Sequence, residues 1–168
     1  MVLFRRDNNH TLPEQQSQSS LTYQGNGFTI NQPEGWVDKT VYTITGPVED
    51  GIQHNILITI EEDVEFDSAA DYADFHITAM EEELKGYTVL KREEISLANG
   101  LPAYRAIFRW YPTDEMCIYQ EQMFVLADGT AYKLTTTFTK KTRKTLGPQV
   151  ERILMSFQPD KKQPADSR

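Results

Sequence analysis

The chain has 168 residues, 39% of them hydrophobic and 11% aromatic, which is typical of a globular protein with one main core. Its formal net charge of −8 argues against nucleic acid and anionic lipid as partners, because both attract basic surfaces. The single cysteine, Cys117, excludes an internal disulfide, and we expect it to be a buried, inert thiol.

The two ends of the chain are polar. Residues 1–20 are rich in Gln, Asn and Ser and predict a flexible N-terminal arm, and residues 158–168 predict a polar C-terminal tail. The start of the chain lacks the apolar stretch of a secretory signal, and no later run approaches the ~18 apolar residues of a membrane helix. We therefore expect a single domain over residues 21–157, in a cytoplasmic protein that does not insert into a membrane.

The first predicted strand ends in a turn. Phe28 and Ile30 alternate with polar residues, which is the period of a half-buried strand, and Pro33 ends it because proline lacks the N–H of a strand ladder. Gly35 predicts a turn, after which we expect Trp36 to be buried and to pin this edge of a sheet.

Two more strands are predicted next. Residues 40–45 place Val41 and Thr43 on one face, and a loop is expected over residues 46–51. Residues 55–61 are rich in β-branched side chains, which favours a strand. One face of that strand consists of isoleucines, namely Ile56, Ile58 and Ile60.

Residues 67–84 predict a helix. Asp67 or Ser68 can accept hydrogen bonds from free N–H groups at its start, and Gly86 follows its last turn. Apolar residues recur on one face at helical spacing: Ala73, Ile77, Met80 and Leu84. His76 lies beside this face, and we expect it to be a hydrogen-bonded histidine at the boundary of the core.

A meander and a last helix complete the chain. Its strands are predicted at residues 87–97, 102–111, 116–126 and 130–138. Asn99-Gly100 and Asp128-Gly129 predict tight turns, so neighbouring strands are expected to be antiparallel. Pro148 suits the first turn of a helix. The sequence thus predicts an α+β fold in which an antiparallel sheet packs with two main helices.

The strand over residues 116–126 is apolar on both faces. Phe124 shares a face with Gln120 and Gln122, whereas Met123 lies opposite. Two helices can cover one face, so we expect the other to meet the rest of the chain, a second subunit or a client. Gln120 and Gln122 must be hydrogen-bonded if buried, and their amides can also offer donors and acceptors to a partner.

The sequence contains no pattern of catalytic residues. The three histidines do not have metal-ligand spacing, and neither a Gly-rich phosphate loop nor a Gly-x-Ser-x-Gly motif is present. The acidic runs at residues 61–63 and 81–83 lack the spacing of a calcium loop, and we expect them and the basic stretch over residues 140–144 to be solvated. We expect a non-enzymatic protein without a metal or cofactor.

Three short motifs follow one another in the chain: Phe28-x-Ile30-x-x-Pro33-x-x-Trp36, Leu84-Lys85-Gly86-Tyr87 and Leu90-Lys91-Arg92. Together with the meander, they resemble the DcrB-related family over residues 21–157. The fold of that family is similar to the PsbP-like α/β sandwich. Members without a signal resemble the Eag-type chaperones of type VI secretion. Those chaperones are dimers that bind the N-terminal transmembrane segments of effectors and keep them soluble until the effectors are loaded on the spike.

The resemblance implies a hydrophobic groove that receives such a segment. In the family, the groove is lined by the strand after the tryptophan and by the meander, including a glutamine before an apolar pair. Here these positions are Val41 and Thr43, and Gln122 before Met123-Phe124. To them we add Ile58 and Ile60 of the next strand, Gln120, and His76, which stands where an amide is expected on the helix. The expected client is the hydrophobic N-terminal segment of an effector, bound by a homodimer.

Two alternatives stay open at this point. A non-enzymatic accessory protein of the PsbP/DcrB type would bind a folded complex and would have no groove large enough for a membrane helix. A small-molecule-binding or enzymatic domain would have an enclosed pocket with convergent polar groups.

Overall fold

A computed structural model describes residues 20–160 of the chain. These residues fall into two compact units, with the boundary between Asp38 and Lys39, so the expected single domain over residues 21–157 spans both units. The predicted N-terminal arm and most of the predicted C-terminal tail lie outside the described residues. Within residues 20–160, no helix is long and apolar enough to cross a membrane.

The first unit contains a hairpin of two antiparallel strands, β1 (Ser20–Gly25) and β2 (Phe28–Pro33). As predicted, β2 ends at Pro33 and a turn follows, in which the Trp36 N–H donates to the Pro33 carbonyl at 3.2 Å. The hairpin does not bury Trp36, which is 71% exposed. The expectation of a buried Trp36 is therefore wrong within this unit, because two strands form too small a face to cover an indole ring.

The second unit is built on an antiparallel sheet of six strands within the described residues. Its elements in chain order are β3 (Val41–Glu49), β4 (Ile52–Glu61), α1 (Ala69–Glu83), β5 (Thr88–Ser96), β6 (Pro102–Thr113), β7 (Met116–Ala127), β8 (Thr130–Phe138), α2 (Thr142–Thr145) and α3 (Gly147–Met155). The strand order across the sheet is β3-β4-β8-β7-β6-β5. The predicted α+β fold with a meander from β5 to β8 is confirmed.

Local signals fix the two ends of α1. At its start, the Ser68 hydroxyl oxygen accepts a hydrogen bond from the Asp71 N–H at 3.1 Å. Just beyond its end, Gly86 has a φ of 65°, a left-handed conformation that glycine adopts without steric cost. The buried side of the helix carries Tyr72 and Ile77, as the helical spacing of apolar residues requires.

The two main helices cover opposite faces of the sheet. α1 packs against Ala106 and Phe124, which share one face, whereas Leu154 of α3 packs with Met123 and Val125 on the other. The expectation that both helices cover one face is therefore wrong. α1 connects β4 to β5 across one face, and α3 follows the inner strand β8 across the other, so each apolar face receives a helix. We call them the α1 face and the α3 face.

β3 is an edge strand that is longer than predicted. The expected loop over residues 46–51 is wrong in part, because β3 continues to Glu49 with an irregularity between Thr45 and Val48. An edge strand tolerates Pro47 at such a bulge, since its outer N–H groups have no ladder partner. The turn itself is Asp50-Gly51, with φ values of 51° and 79°, as a two-residue hairpin requires. All nine residues of β3 are exposed.

The expectation that residues 140–144 form a solvated loop is wrong in part, because this basic stretch contains the start of α2. Thr142 is buried there, and its hydroxyl oxygen accepts from the Thr139 N–H at 2.9 Å. The same oxygen lies 2.9 Å from Nε2 of His54 on β4. These contacts hold α2 against the α3 face of the sheet.

Candidate binding surface

One row of directly paired residues crosses the α1 face from β7 to the edge of the sheet. It runs from Gln122 through Thr135 of β8 and Leu57 of β4 to Thr43 of β3. Gln122 is 6% exposed, Leu57 is half-buried and Thr43 is exposed. Burial decreases along the row because α1 lies over β6 and β7. The β8-β4-β3 side of this face therefore forms an open strip beside α1.

The open strip is mixed in chemistry. Its members are Val41, Thr43, Leu57, Thr59, Thr135 and Thr137, with Gln120 and Gln122 of β7 along its deep side. Aliphatic side chains supply apolar contact area, and the threonine hydroxyls are both donors and acceptors of hydrogen bonds. Such a surface suits an apolar partner that also carries a few small polar groups.

The two glutamines at the deep side differ in their hydrogen bonding. Gln120 Oε1 accepts from the Trp110 indole N–H at 2.8 Å, and Gln120 Nε2 donates to the Thr137 hydroxyl at 3.0 Å. Gln122 Oε1 is buried and has no hydrogen-bond partner within residues 20–160. A buried acceptor without a partner costs about 1–3 kcal/mol. Gln122 is thus a position at which a donor from a partner would stabilise the protein.

A polar cluster connects α1 to the strands of the strip. Lys133 Nζ lies 3.5 Å from His76 Nδ1, and His76 Nε2 lies 3.8 Å from a carboxylate oxygen of Glu61. Tyr72 donates its hydroxyl hydrogen to the same oxygen at 3.3 Å. Burial lowers the pKa of His76 and Lys133 lowers it further, so His76 is neutral and Nδ1 accepts from the ammonium group. This is the hydrogen-bonded boundary histidine that the sequence predicts.

The nine predicted groove residues are divided between the two faces. Val41, Thr43, Gln120 and Gln122 lie in or beside the open strip, His76 lies on α1 beside it, and Ile58, Ile60 and Met123 lie on the α3 face, with Phe124 beneath α1. Met123 is 1% exposed and Phe124 is fully buried, so both are core residues. One groove cannot contain all nine, because successive residues of a strand point to opposite faces.

Sequence reasoning missed four residues of the strip. Leu57 and Thr59 face away from the isoleucines of β4, and Thr135 and Thr137 look like ordinary strand residues in the sequence. These four share one surface with the predicted strip residues because β4 and β8 are neighbours in the sheet. The alternation within each strand gave the face of each residue, but the strand order across the sheet was not visible in it.

The described residues show no metal-ligand cluster. Within residues 20–160, no group of three His, Cys, Asp or Glu side chains is placed to hold a metal ion. Cys117, expected to be buried, is half-buried on β7.

A sequence profile described as DcrB matches residues 28–156 of the chain. That range begins at β2 and ends just after α3, so it covers almost every described element. No curated protein matches the chain in sequence.

Two solved structures resemble the chain in fold. PA94 of Pseudomonas aeruginosa, described as a protein of unknown function, is 17% identical with a TM-score of 0.66, and the match covers 85% of this chain and 99% of that chain. CyanoP, the cyanobacterial PsbP of Synechocystis sp. PCC 6803, is 13% identical with a TM-score of 0.51, and the match covers 85% of this chain and 94% of that chain. The predicted PsbP-like fold is confirmed by this likeness.

Proposed function

Because this chain belongs to the DcrB family, we propose that it is a non-enzymatic binding protein, a chaperone or adaptor for an effector of type VI secretion. The open strip would hold an apolar helical segment near the N-terminus of the effector. The segment would stay bound in the cytoplasm, without insertion of the chaperone into a membrane, until the effector is loaded on the spike.

The observation that carries this proposal is the unpartnered Gln122 Oε1 at the deep side of the open strip. The backbone N–H groups inside a helix are already bonded within the helix, so the donor would come from a Ser or Thr hydroxyl on the bound segment. Membrane helices use small and hydroxyl residues where they pack closely against a partner. Thr135 next to Gln122 adds a second polar group for such a contact.

The width of the strip fits one helix. From β7 to β3 there are three strand spacings, which amount to about 14 Å. A helix with its side chains is about 10–12 Å across, so one helix can lie on the strip next to α1. Strands of nine to twelve residues, such as β3 and β7, extend about 30–40 Å and match the length of a ~20-residue membrane helix.

The energetics favour covering such a segment. A membrane helix in water exposes a large apolar surface that leads to aggregation. Each Å² of apolar area that the strip removes from water contributes roughly 25 cal/mol, less the cost of ordering the two partners. The net charge of −8 on the chain would keep the complex soluble.

A second copy of the chain is part of the proposal. β3 exposes apolar side chains on both faces, with Val41 on the α1 face and Tyr42 and Ile44 on the α3 face. Its outer backbone groups face away from β4 at the edge of the sheet. We propose that β3 strands of two chains pair, because this satisfies the edge and covers its apolar side chains. The open strips of two copies would then adjoin each other.

The test is capture of the partner from the native host with the tagged full chain, followed by mass spectrometry. The expected partner is a secreted effector with an apolar segment near its N-terminus, and deletion of that segment from the effector should abolish capture. Capture that survives the deletion, or recovery of folded soluble partners alone, would contradict the proposal.

A matched pair of variants tests the role of Gln122 in the same assay. Gln122→Met removes the unpartnered acceptor, so it should weaken capture of the effector segment by about tenfold or more while leaving the stability of the chaperone unchanged or higher. Gln120→Met removes the hydrogen bonds to Trp110 and Thr137, so its main effect should be a lower stability of the chaperone. Equal effects of both variants on capture would exclude a specific role for Gln122.

The alternative is an accessory protein of the PsbP/DcrB type that binds a folded complex. The exposed edge strand β3 favours it, because strand edges also add to the sheets of folded partners. This alternative predicts that a folded partner is captured and that Gln122→Met has no effect on its capture.

A further inference from the structure

A charged cleft of about 400 Å³ lies on the α3 face, opposite the open strip. Its floor includes Arg105 of β6 and Tyr119 and Glu121 of β7, and its wall includes Arg143 of α2 and Glu151 of α3. The proposed effector binding uses none of these five side chains, so the cleft is free for another ligand.

The basic groups on one side of the cleft are already paired. Arg105 donates from Nε to Glu93 at 2.8 Å and from Nη1 to Glu151 at 2.6 Å. Lys91 Nζ lies 2.9 Å from the other oxygen of Glu93, so that carboxylate has two cationic partners. Arg105 and Lys91 therefore have little capacity left for an anionic ligand.

Glu121 is the carboxylate with the weakest pairing in this group. It lies 3.5 Å from Arg105 Nη1, the same nitrogen that bonds Glu151 at the shorter distance of 2.6 Å. Two carboxylates thus share one guanidinium nitrogen. Glu121 is also largely buried, and burial raises the pKa of its carboxyl group. Arg105 and, more weakly, Arg143 oppose the rise, whereas Glu151 adds to it. A further cation between Glu121 and Glu151 would relieve both effects.

The chain already places an organic cation against the aromatic wall of the cleft. The guanidinium of Arg143 lies 5.4 Å from the centre of the Tyr119 ring, within the range of a cation–π contact. Arg143 is exposed, so a ligand can take its place on the ring at little cost. The cleft therefore combines carboxylates, an aromatic face and a replaceable cation.

From this geometry we infer that the cleft binds a small organic cation with a primary ammonium group on an alkyl chain, for which putrescine is a convenient probe. One ammonium group donates to the carboxylates of Glu121 and Glu151, and the alkyl chain lies against Tyr119 and Ile107. The net charge of −8 attracts such ligands over a longer range.

Calorimetric titration of the full chain with putrescine at low salt tests this inference, with butanediol as an uncharged ligand of the same length. Putrescine should bind one to one and butanediol should not bind. Glu121→Gln keeps the shape of the side chain and should weaken putrescine binding by about tenfold or more, because a charged hydrogen bond is lost. Glu115→Gln, which removes one exposed charge in the β6–β7 turn, should leave the affinity unchanged.

Equal loss of affinity in both variants, or titration without saturation, would mean that putrescine senses only the net charge, and would overturn the inference. If Glu121→Gln changes the circular-dichroism spectrum, Glu151→Gln gives the same test from the wall of the cleft.

A second readout is proton release. Burial raises the pKa of Glu121 and a bound ammonium group would lower it, so putrescine binding just above the ordinary pKa of a carboxyl group should release protons from wild type but not from Glu121→Gln.

Discussion

At the scale of single residues, the α1 face places two basic groups where burial opposes their charge. Burial lowers the pKa of His76, and Lys133 nearby lowers it further, while Glu61 has the opposite effect. Burial also lowers the pKa of Lys133. Lys133 and the neutral imidazole of His76 link α1 to β8 through one hydrogen bond, and Tyr72 links α1 to Glu61 of β4 through another.

The depressed pKa of His76 predicts a loss of stability in acid. The unfolded chain takes up a proton at His76 near the ordinary pKa of about 6.5, before the folded chain does, so stability falls as pH drops below that value. His76→Gln retains an acceptor for Lys133 but does not titrate. Urea unfolding at about pH 7.5 and about pH 5 should therefore show a smaller loss of stability for His76→Gln than for wild type. Equal losses would mean that His76 does not contribute to the pH dependence.

At the scale of elements, each inner strand contributes to two cores. β7 places Phe124 under α1 and Met123 under α3, and β4 places Leu57 on the open strip and Ile56 in the α3 core. The apolar character of both faces, which suggested an uncovered face in the sequence, results from a helix on each side. The surface available to a partner is consequently the strip beside α1 and the outer strand β3, rather than a whole face of the sheet.

This arrangement predicts different effects for two residues that the sequence placed in one groove. Met123 is 1% exposed, so Met123→Ala should destabilise the protein by about 2–5 kcal/mol through the lost contacts and the cavity. Ile60 lies on the same face but is 37% exposed, so Ile60→Ala should cost about 1 kcal/mol or less. Denaturant unfolding measures both values. A neutral Met123→Ala would contradict its place in the core.

At the scale of the whole molecule, the outer strand β3 carries the proposed contact with a second chain. An edge strand with apolar residues on both faces and free backbone groups is a site for pairing with another chain. β5, at the other edge, carries the charged residues Lys91, Arg92, Glu93 and Glu94 and is less suited to such pairing. Pairing through β3 would extend the sheet into a second copy.

Light scattering coupled to size-exclusion chromatography should give twice the 19.3 kDa mass of one chain. Ile44→Lys, in the middle of β3, should shift the protein to a monomer because it buries a charge in the proposed interface. Ile153→Lys changes an exposed isoleucine on α3 in the same way and should leave the dimer intact. A wild-type monomer would exclude the β3 pairing, and dissociation by both variants would show that the effect is not specific to β3.

Features that depend on neighbouring residues could be predicted from the sequence alone. Alternation placed Gln120 and Gln122 on one face of β7 and Met123 on the other, Asp128-Gly129 predicted a hairpin, and Asp67 or Ser68 indicated the start of α1. These features follow from backbone geometry and hydrogen bonds within a few residues, so a short stretch contains all the information that they need.

The covered faces of the sheet, and the residues that share a surface, became visible only in the folded chain. Leu57 and Thr135 are 78 positions apart (135 − 57), yet they are direct partners because β4 lies next to β8. The same strand order puts α1 and α3 on opposite faces and brings Arg105, Glu121 and Glu151 together, and it leaves Gln122 Oε1 without a partner among residues 20–160. Such contacts result from the packing of the whole chain around two cores, and no local pattern of residues specifies them.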